Sequence, residues 1–115
     1  MNSVTCPLAD AYVRSVNHSD AAAYLACFAD DAVVDDAGRV FHGRDAIQAW
    51  AASDIFAVNV RFEVLDVAET PDGLTLTTKV DGDFDRTGLP DPVVINHHIE
   101  ARDGQIHKLT CSLAD

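Results

Sequence analysis

The amino-acid sequence predicts an α+β fold in which three N-terminal helices pack on a strongly curved, antiparallel or mixed β-sheet. In the first half of the chain apolar residues recur every three or four positions, as in amphipathic helices. From Val58 onward they recur at every second position, as in strands buried on one face. Helices followed by strands favour α+β over alternating βαβ units. The 115 residues contain no repeat or low-complexity linker, so residues 1–115 are expected to form one domain.

Polar residues mark the expected ends of the three helices. The first helix is predicted to end at the polar segment 17–19. Asp20 can then cap a second helix, which the two aspartates at 30–31 are expected to close before a strand begins at Val33. A third helix is predicted over residues 45–50, after a glycine and an arginine.

The second half of the chain is expected to form four strands. The first begins at Val58 and the second covers the alternating residues of segment 74–84, with a turn at 70–73 between them. The other two are predicted at 93–101 and from 105 to about 113. Together they would form the sheet on which the helices pack.

The charge of the chain excludes several classes of partner. With 8 Lys and Arg against 19 Asp and Glu, the formal net charge of -11 repels nucleic acids and anionic membranes. No apolar run approaches a membrane span and the N-terminus does not look like a signal peptide, so a cytoplasmic location is expected. Cys6, Cys27 and Cys111 lack the spacing of a zinc site or a disulfide framework.

Five segments together resemble the nuclear transport factor 2-like superfamily. They are residues 11–12, 16–20, 28–36, 42–47 and 102–106, which occur in the order that the superfamily shows. The match is closest to the branch of ketosteroid isomerases and SnoaL-like polyketide cyclases. This resemblance implies a cone-shaped, cystatin-like fold around a mostly apolar cavity, no cofactor, and a homodimer formed through the outer face of the sheet.

The resemblance also implies roles for individual residues. Asp36 falls where the isomerase-like members hold a proton-abstracting carboxylate, and Tyr12 matches the tyrosine that donates a hydrogen bond to the developing oxyanion. Where the isomerases hold an acid as a second donor, this chain has His97 on an apolar strand face, unless a bulge exchanges it for Asn96 or His98. The alternatives are a solvated Asp36, a core tyrosine and a core histidine.

Metal and nucleophilic chemistry are not expected. His97 and His98 are adjacent on a predicted strand and therefore point to opposite faces, so they cannot chelate one ion together. The sequence contains no glycine-rich phosphate loop and no Gly-x-Ser-x-Gly motif.

The sequence therefore predicts a cofactor-independent isomerase or lyase that acts on a small apolar carbonyl compound. Asp36 would be the base, Tyr12 the donor, and His97 an acid, a base or a second donor. The residues expected to line the cavity are Phe28, Phe41, Trp50, Phe62, Val80 and Phe84. The alternative is a non-catalytic ligand-binding or dimerisation domain, in which side chains fill the cavity or Asp36 and His97 do not face each other. Whether segment 85–92 covers the pocket stays open.

Overall fold

The computed structural model describes residues 6–114, which fold into helices and one mixed sheet. The helices are α1 (Cys6–Asn17), α2 (Ala21–Ala26) and α3 (Gly43–Ala51), and α3 continues into a π-helical turn (Ala52–Phe56). The strands are β1 (Phe28–Asp36), β2 (Arg39–His42), β3 (Arg61–Thr70), β4 (Gly73–Asp81), β5 (Val93–Arg102) and β6 (Gln105–Leu113).

The strands form a sheet in the order β2-β1-β6-β5-β4-β3. Its pairs are antiparallel except β1 with β6, which run parallel. Helix α1 contacts β3, and α3 contacts β1 and β2, so the core lies between the helices and one face of the sheet. The predicted α+β architecture of helices packed on a mixed sheet is confirmed.

Local chemistry accounts for two of the turns. The Asp20 carboxylate accepts a hydrogen bond from the backbone N–H of Ala23 at 3.0 Å, which caps the start of α2. Between β1 and β2, Ala37 and Gly38 have φ angles of 52° and 94°. Two consecutive positive φ angles are characteristic of the tight hairpin turn whose twist matches that of the flanking strands.

The two aspartates at 30–31 do not close α2, contrary to the sequence-based expectation. Strand β1 already begins at Phe28, and both aspartates belong to it. The backbone carbonyl of Cys27 accepts a hydrogen bond from Ile106 N–H at 2.7 Å, and Phe28 pairs with the same residue of β6. Partners on a distant strand thus satisfy backbone groups that a longer helix would otherwise have paired.

Strand β3 also begins later than predicted, at Arg61 rather than Val58. The π-helical turn extends the preceding helix, and Val60 N–H donates to the carbonyl of Ile55 at 3.0 Å. A shift of register between Val64 and Asp66 then interrupts the alternation of inward and outward side chains. The predicted period-two pattern therefore holds for only part of this strand.

Candidate functional site

His97 lies on the buried face of β5, where 2% of its surface is exposed. Its neighbours Asn96 and His98 point to the outer face, where they contact the hydroxyls of Thr77 at 2.7 Å and Thr75 at 2.9 Å on β4. The antiparallel pairing of β4 with β5 fixes this register. His97 is therefore the residue of the three that reaches the interior.

Two hydroxyl groups hold the His97 ring. Tyr12 Oη, from α1, lies 2.9 Å from Nδ1, and Thr78 Oγ1, from β4, lies 2.9 Å from Nε2. Tyr12 is 1% exposed and Thr78 is fully buried. A buried chain of three polar groups thus connects the first helix to the centre of the sheet.

The proton count of this chain leaves one hydroxyl proton without a partner. A neutral imidazole donates from one nitrogen and accepts at the other. In either tautomer one hydroxyl donates to the ring and the other accepts from it. The accepting hydroxyl keeps a proton of its own, and neither hydroxyl makes a second hydrogen bond among residues 6–114.

Burial keeps these groups uncharged. It lowers the pKa of His97 to about 3, with a smaller contribution from the charge of His98, so the ring is neutral near pH 7. Burial likewise raises the pKa of Tyr12 well above its ordinary value. At neutral pH the pair can therefore donate and accept hydrogen bonds, but neither member carries a charge.

Asp36 lies at the end of β1, apart from the Tyr12 and His97 pair. Its Oδ2 accepts hydrogen bonds from the indole N–H of Trp50 at 3.0 Å and from the Arg39 guanidinium at 2.6 Å. Its side chain is 24% exposed, and Arg39 also pairs with Asp54. Two donors thus already occupy one of the two carboxylate oxygens.

The pairing of the strands places Asp36 and His97 on the same face of the sheet. Asp36 is paired with Cys111 of β6, and Cys111 is paired with His97 of β5. Two strand spacings therefore separate the Cα atoms, roughly 10 Å. Within the described residues no hydrogen bond joins Asp36 to Tyr12 or His97, whereas Tyr12 and His97 meet directly.

Two aromatic residues predicted to line a cavity, Phe28 and Phe62, pack against other rings of the interior. Phe28 is fully buried, with its ring 5.2 Å from that of Tyr24. Phe62 is half-buried and packs on Tyr12 and His97, the donor pair, with its ring centroid 5.9 Å from that of Tyr12 and 4.9 Å from that of His97. Side chains thus fill this part of the interior.

Of the remaining predicted lining residues, Trp50 and Val80 are buried in the core, while Phe41 and Phe84 lie partly buried against it. Phe41 packs on Trp50 at 5.9 Å between centroids, Val80 is buried in the core, and Phe84 is half-buried beneath the Arg86 guanidinium. Their role in binding a ligand stays a prediction.

An open, mainly apolar groove of about 580 Å³ runs between α1 and strands β3 and β4. The residues that line it are Pro7, Ala9, Asp10, Val13, Val64, Val67 and Leu76. Leu76 is the strand partner of His97, and Ala9 and Val13 flank Tyr12 on α1, so the groove lies beside the donor pair. None of the six residues predicted to line a cavity belongs to it.

Three functional candidates were not singled out from the sequence. Thr78 is a lone polar residue on the apolar face of β4, a signal that could have identified it. Tyr24 was recognisable only as a member of an apolar helix face. Arg39 was not recognisable as a partner of Asp36, because the pair depends on the hairpin turn that brings it back to β1.

Neither a metal site nor a membrane span is seen in residues 6–114. No three His, Cys, Asp or Glu side chains converge there as a metal ion would require. The helices in this range are too short or too polar to cross a bilayer.

The model of the SnoaL-like domain family matches residues 9–109 of the chain. The chain belongs to the SnoaL-like family. This family assignment confirms the resemblance to the nuclear transport factor 2-like superfamily and its cyclase and isomerase branch. None of the curated proteins compared with the chain matches it.

Solved structures of similar proteins confirm the cone fold. A candidate polyketide cyclase from Sinorhizobium meliloti is 27% identical, with 92% of this chain and 94% of that chain covered at a TM-score of 0.82. The Delta 5-3-ketosteroid isomerase of Mycobacterium sp. is 19% identical, with 96% and 93% covered at 0.71. A Mycobacterium tuberculosis protein in complex with estradiol-17beta-hemisuccinate is 17% identical, with 96% and 93% covered at 0.78.

Proposed function

We propose that the protein is a cofactor-independent isomerase or lyase that binds a small, uncharged, apolar carbonyl compound and moves a proton beside its carbonyl group. Tyr12 would donate a hydrogen bond to the carbonyl oxygen, and His97 would hold the Tyr12 hydroxyl in place. Asp36 would be the base. The family membership of the chain supports this class of reaction, in which no cofactor is usual.

The observation that carries the proposal is the excess of buried hydrogen-bond donors beside the Tyr12 and His97 pair. A hydroxyl proton that has no acceptor inside the protein destabilises the fold, because its hydration is lost and not replaced. A carbonyl oxygen supplies the missing acceptor. When negative charge develops on that oxygen, the same donor stabilises it more strongly, which lowers the barrier to proton removal.

Access to the donors requires a side chain to move. Tyr12 and His97 are almost completely buried, while the groove beside them is open to solvent. Phe62 contacts both rings and is itself half-buried on the edge strand β3. We infer that a ligand reaches the two groups by displacing the Phe62 ring, which lies against both of them and outside the groove lining.

The experiment uses indanone as the probe and indane, which lacks the oxygen, as its matched partner. Binding is followed by heteronuclear NMR, and exchange of the α-protons of indanone is followed in deuterated water. We expect indanone to bind more tightly than indane and to exchange faster than in buffer. Asp36→Asn should lower the exchange rate by a factor of about 100 to 10,000 and leave binding nearly unchanged. Equal affinity for indanone and indane would overturn the proposal.

A second candidate function is non-catalytic binding of the same class of molecule. The contacts of Asp36 favour it, because Arg39 and Trp50 already occupy Oδ2. It predicts that indanone binds in preference to indane but that wild type and Asp36→Asn exchange its α-protons at the rate of buffer. Exchange that is faster than in buffer with the wild type, but not with Asp36→Asn, excludes this second function.

Self-association as a homodimer through the outer face of the sheet belongs to the same proposal. That face carries charges of both signs, among them Lys79 on β4 and Glu100 on β5, and the hydrogen-bonded pairs of Thr75 and Thr77 with β5. A mixed polar face suits a polar contact between two copies. Sedimentation analysis should give twice the mass of one chain, and Lys79→Glu should shift it toward the single chain. A single-chain mass in the wild type at high concentration would contradict it.

A further inference from the structure

Tyr24 carries a buried hydroxyl for which residues 6–114 show no hydrogen-bond partner. Its side chain is 1% exposed, and its Oη makes no hydrogen bond among residues 6–114. The ring packs between three others, at centroid distances of 5.3 Å to Tyr12, 5.2 Å to Phe28 and 5.6 Å to Phe56. The neighbours of Tyr24 thus fix the direction of its hydroxyl without satisfying it.

The hydroxyl lies on the same side of the core as the Tyr12 and His97 pair. Burial raises the pKa of Tyr24 well above its ordinary value, Cys111 raises it further, and the neighbouring hydroxyl of Tyr12 lowers it. Burial also raises the pKa of Cys111, which therefore stays a thiol. Tyr24 is therefore a neutral phenol whose ring packs directly against that of Tyr12.

We propose that Tyr24 donates a second hydrogen bond to the ligand oxygen that Tyr12 binds. This inference rests on the proposed function, since it names a further residue of the same site. A carbonyl or enolate oxygen has two lone pairs and can accept from both phenols at once. An alcohol would add a hydrogen-bond donor to a site in which donors already outnumber acceptors. The site therefore selects oxygens that accept without donating.

The proposal explains why the chain keeps a polar atom in an aromatic cluster. Phenylalanine would fill the same space without the cost of an unpaired hydroxyl, because Tyr and Phe differ by that oxygen alone. Buried polar groups without partners are uncommon and often belong to functional sites. A ligand oxygen would satisfy the hydroxyl only when the site is occupied.

The test measures the carbonyl stretching frequency and the affinity of bound indanone in the wild type, Tyr24→Phe and Tyr12→Phe. Each phenol that donates to the oxygen lowers the frequency, so each single variant should raise it part of the way toward the value in an apolar solvent. Each variant should also weaken indanone binding about fivefold to tenfold, the usual effect of one hydrogen bond. Neither should change the affinity for indane.

The control is Phe56→Leu, which alters the packing around the Tyr24 ring and removes no donor. It should leave the carbonyl frequency at the wild-type value, whatever its effect on affinity. A wild-type frequency in Tyr24→Phe, together with a raised one in Tyr12→Phe, would overturn the role of Tyr24 and leave the proposed function standing. If the wild type does not prefer indanone to indane, the proposed function fails and the role of Tyr24 fails with it.

Discussion

His97 is buried, and its two ring nitrogens are hydrogen-bonded to hydroxyl groups. It therefore acts as a hydrogen-bonding group and not as a catalytic acid or base. An acid or base that works near neutral pH needs a pKa in that range. Burial lowers the pKa of His97 to about 3, far below it. The imidazole therefore holds Tyr12 in position, and the proposed function assigns the proton transfer to Asp36. The sequence left open an acid, a base or a second donor for His97, and we infer a fourth role, positioning Tyr12, because both ring nitrogens are bonded to hydroxyl groups.

The lowered pKa predicts how stability depends on pH. Below the ordinary pKa of 6.5 the unfolded chain binds a proton at this position that the folded protein does not bind until about pH 3. The contribution of His97 to the unfolding free energy is therefore fully present above about pH 6.5 and is lost as the pH falls toward about 3. His97→Gln should reduce the slope of unfolding free energy against pH, between about pH 4 and about pH 6, by roughly 1.4 kcal/mol per pH unit. Urea denaturation across this range measures it.

The neighbours of His97 do not confuse this measurement. Tyr12 on α1 and Cys111 on β6 have raised pKa values and keep their protons over the whole range. His98→Gln is the matched control, because it removes an imidazole from the outer face of the same strand and leaves His97 and its partners in place. Equal slopes for wild type and His97→Gln would show that His97 is solvated and titrates normally.

At the scale of elements, the sequence predicted what local patterns encode. The Asp20 cap, the turn at 70–73 and the strand positions of β5 and β6 follow from turn chemistry and period-two alternation. The inward orientation of His97 follows from the same alternation. These features depend on residues close together in the chain.

The features that the sequence did not reveal depend on distant partners. Strand β2 and the early start of β1 exist because β1 pairs with β2 on one side and β6 on the other. The bulge at Leu65 depends on how β3 lies along β4. The engagement of Asp36 by Arg39 and Trp50 likewise requires the hairpin and α3 to be in place. Periodicity carries no information about such contacts.

The pairing of β4 with β5 leads to a prediction at Gly73. A Cβ atom there would lie 2.0 Å from the backbone carbonyl oxygen of Ile99, which cannot move without disturbing the sheet. We expect Gly73→Ala to lower the unfolding free energy by more than about 3 kcal/mol. Gly38→Ala is the comparison, since Gly38 has φ +94° and open space around it, and its cost should be about 1 to 2 kcal/mol. Urea denaturation of both variants decides, and equal losses would contradict the close approach.

At the scale of the molecule, most of the positively charged side chains form ion pairs with aspartates. The guanidinium groups of Arg14, Arg39, Arg44, Arg86 and Arg102 each pair with an aspartate. The formal net charge of -11 therefore acts as an excess of unpaired carboxylates over the whole surface. In the groove the charged lining residue is Asp10, whose carboxylate is already paired with Arg14.

This charge distribution predicts that the site discriminates against acids. A carboxylate added to indanone should weaken binding at least about tenfold at low salt, because it meets the negative field of the whole chain and no unpaired cation among the groove residues. The methyl ester of the same acid is the control, since it has nearly the same shape without the charge, and it should bind like indanone. The difference should shrink as salt rises, because the screening length falls from about 30 Å at about 0.01 M to about 10 Å at about 0.1 M. Calorimetric titration at the two salt concentrations measures it. Equal affinities for the acid and the ester at low salt would mean that a cation reaches the bound ligand, and Arg14, which pairs with the groove residue Asp10, would then be the first residue to replace.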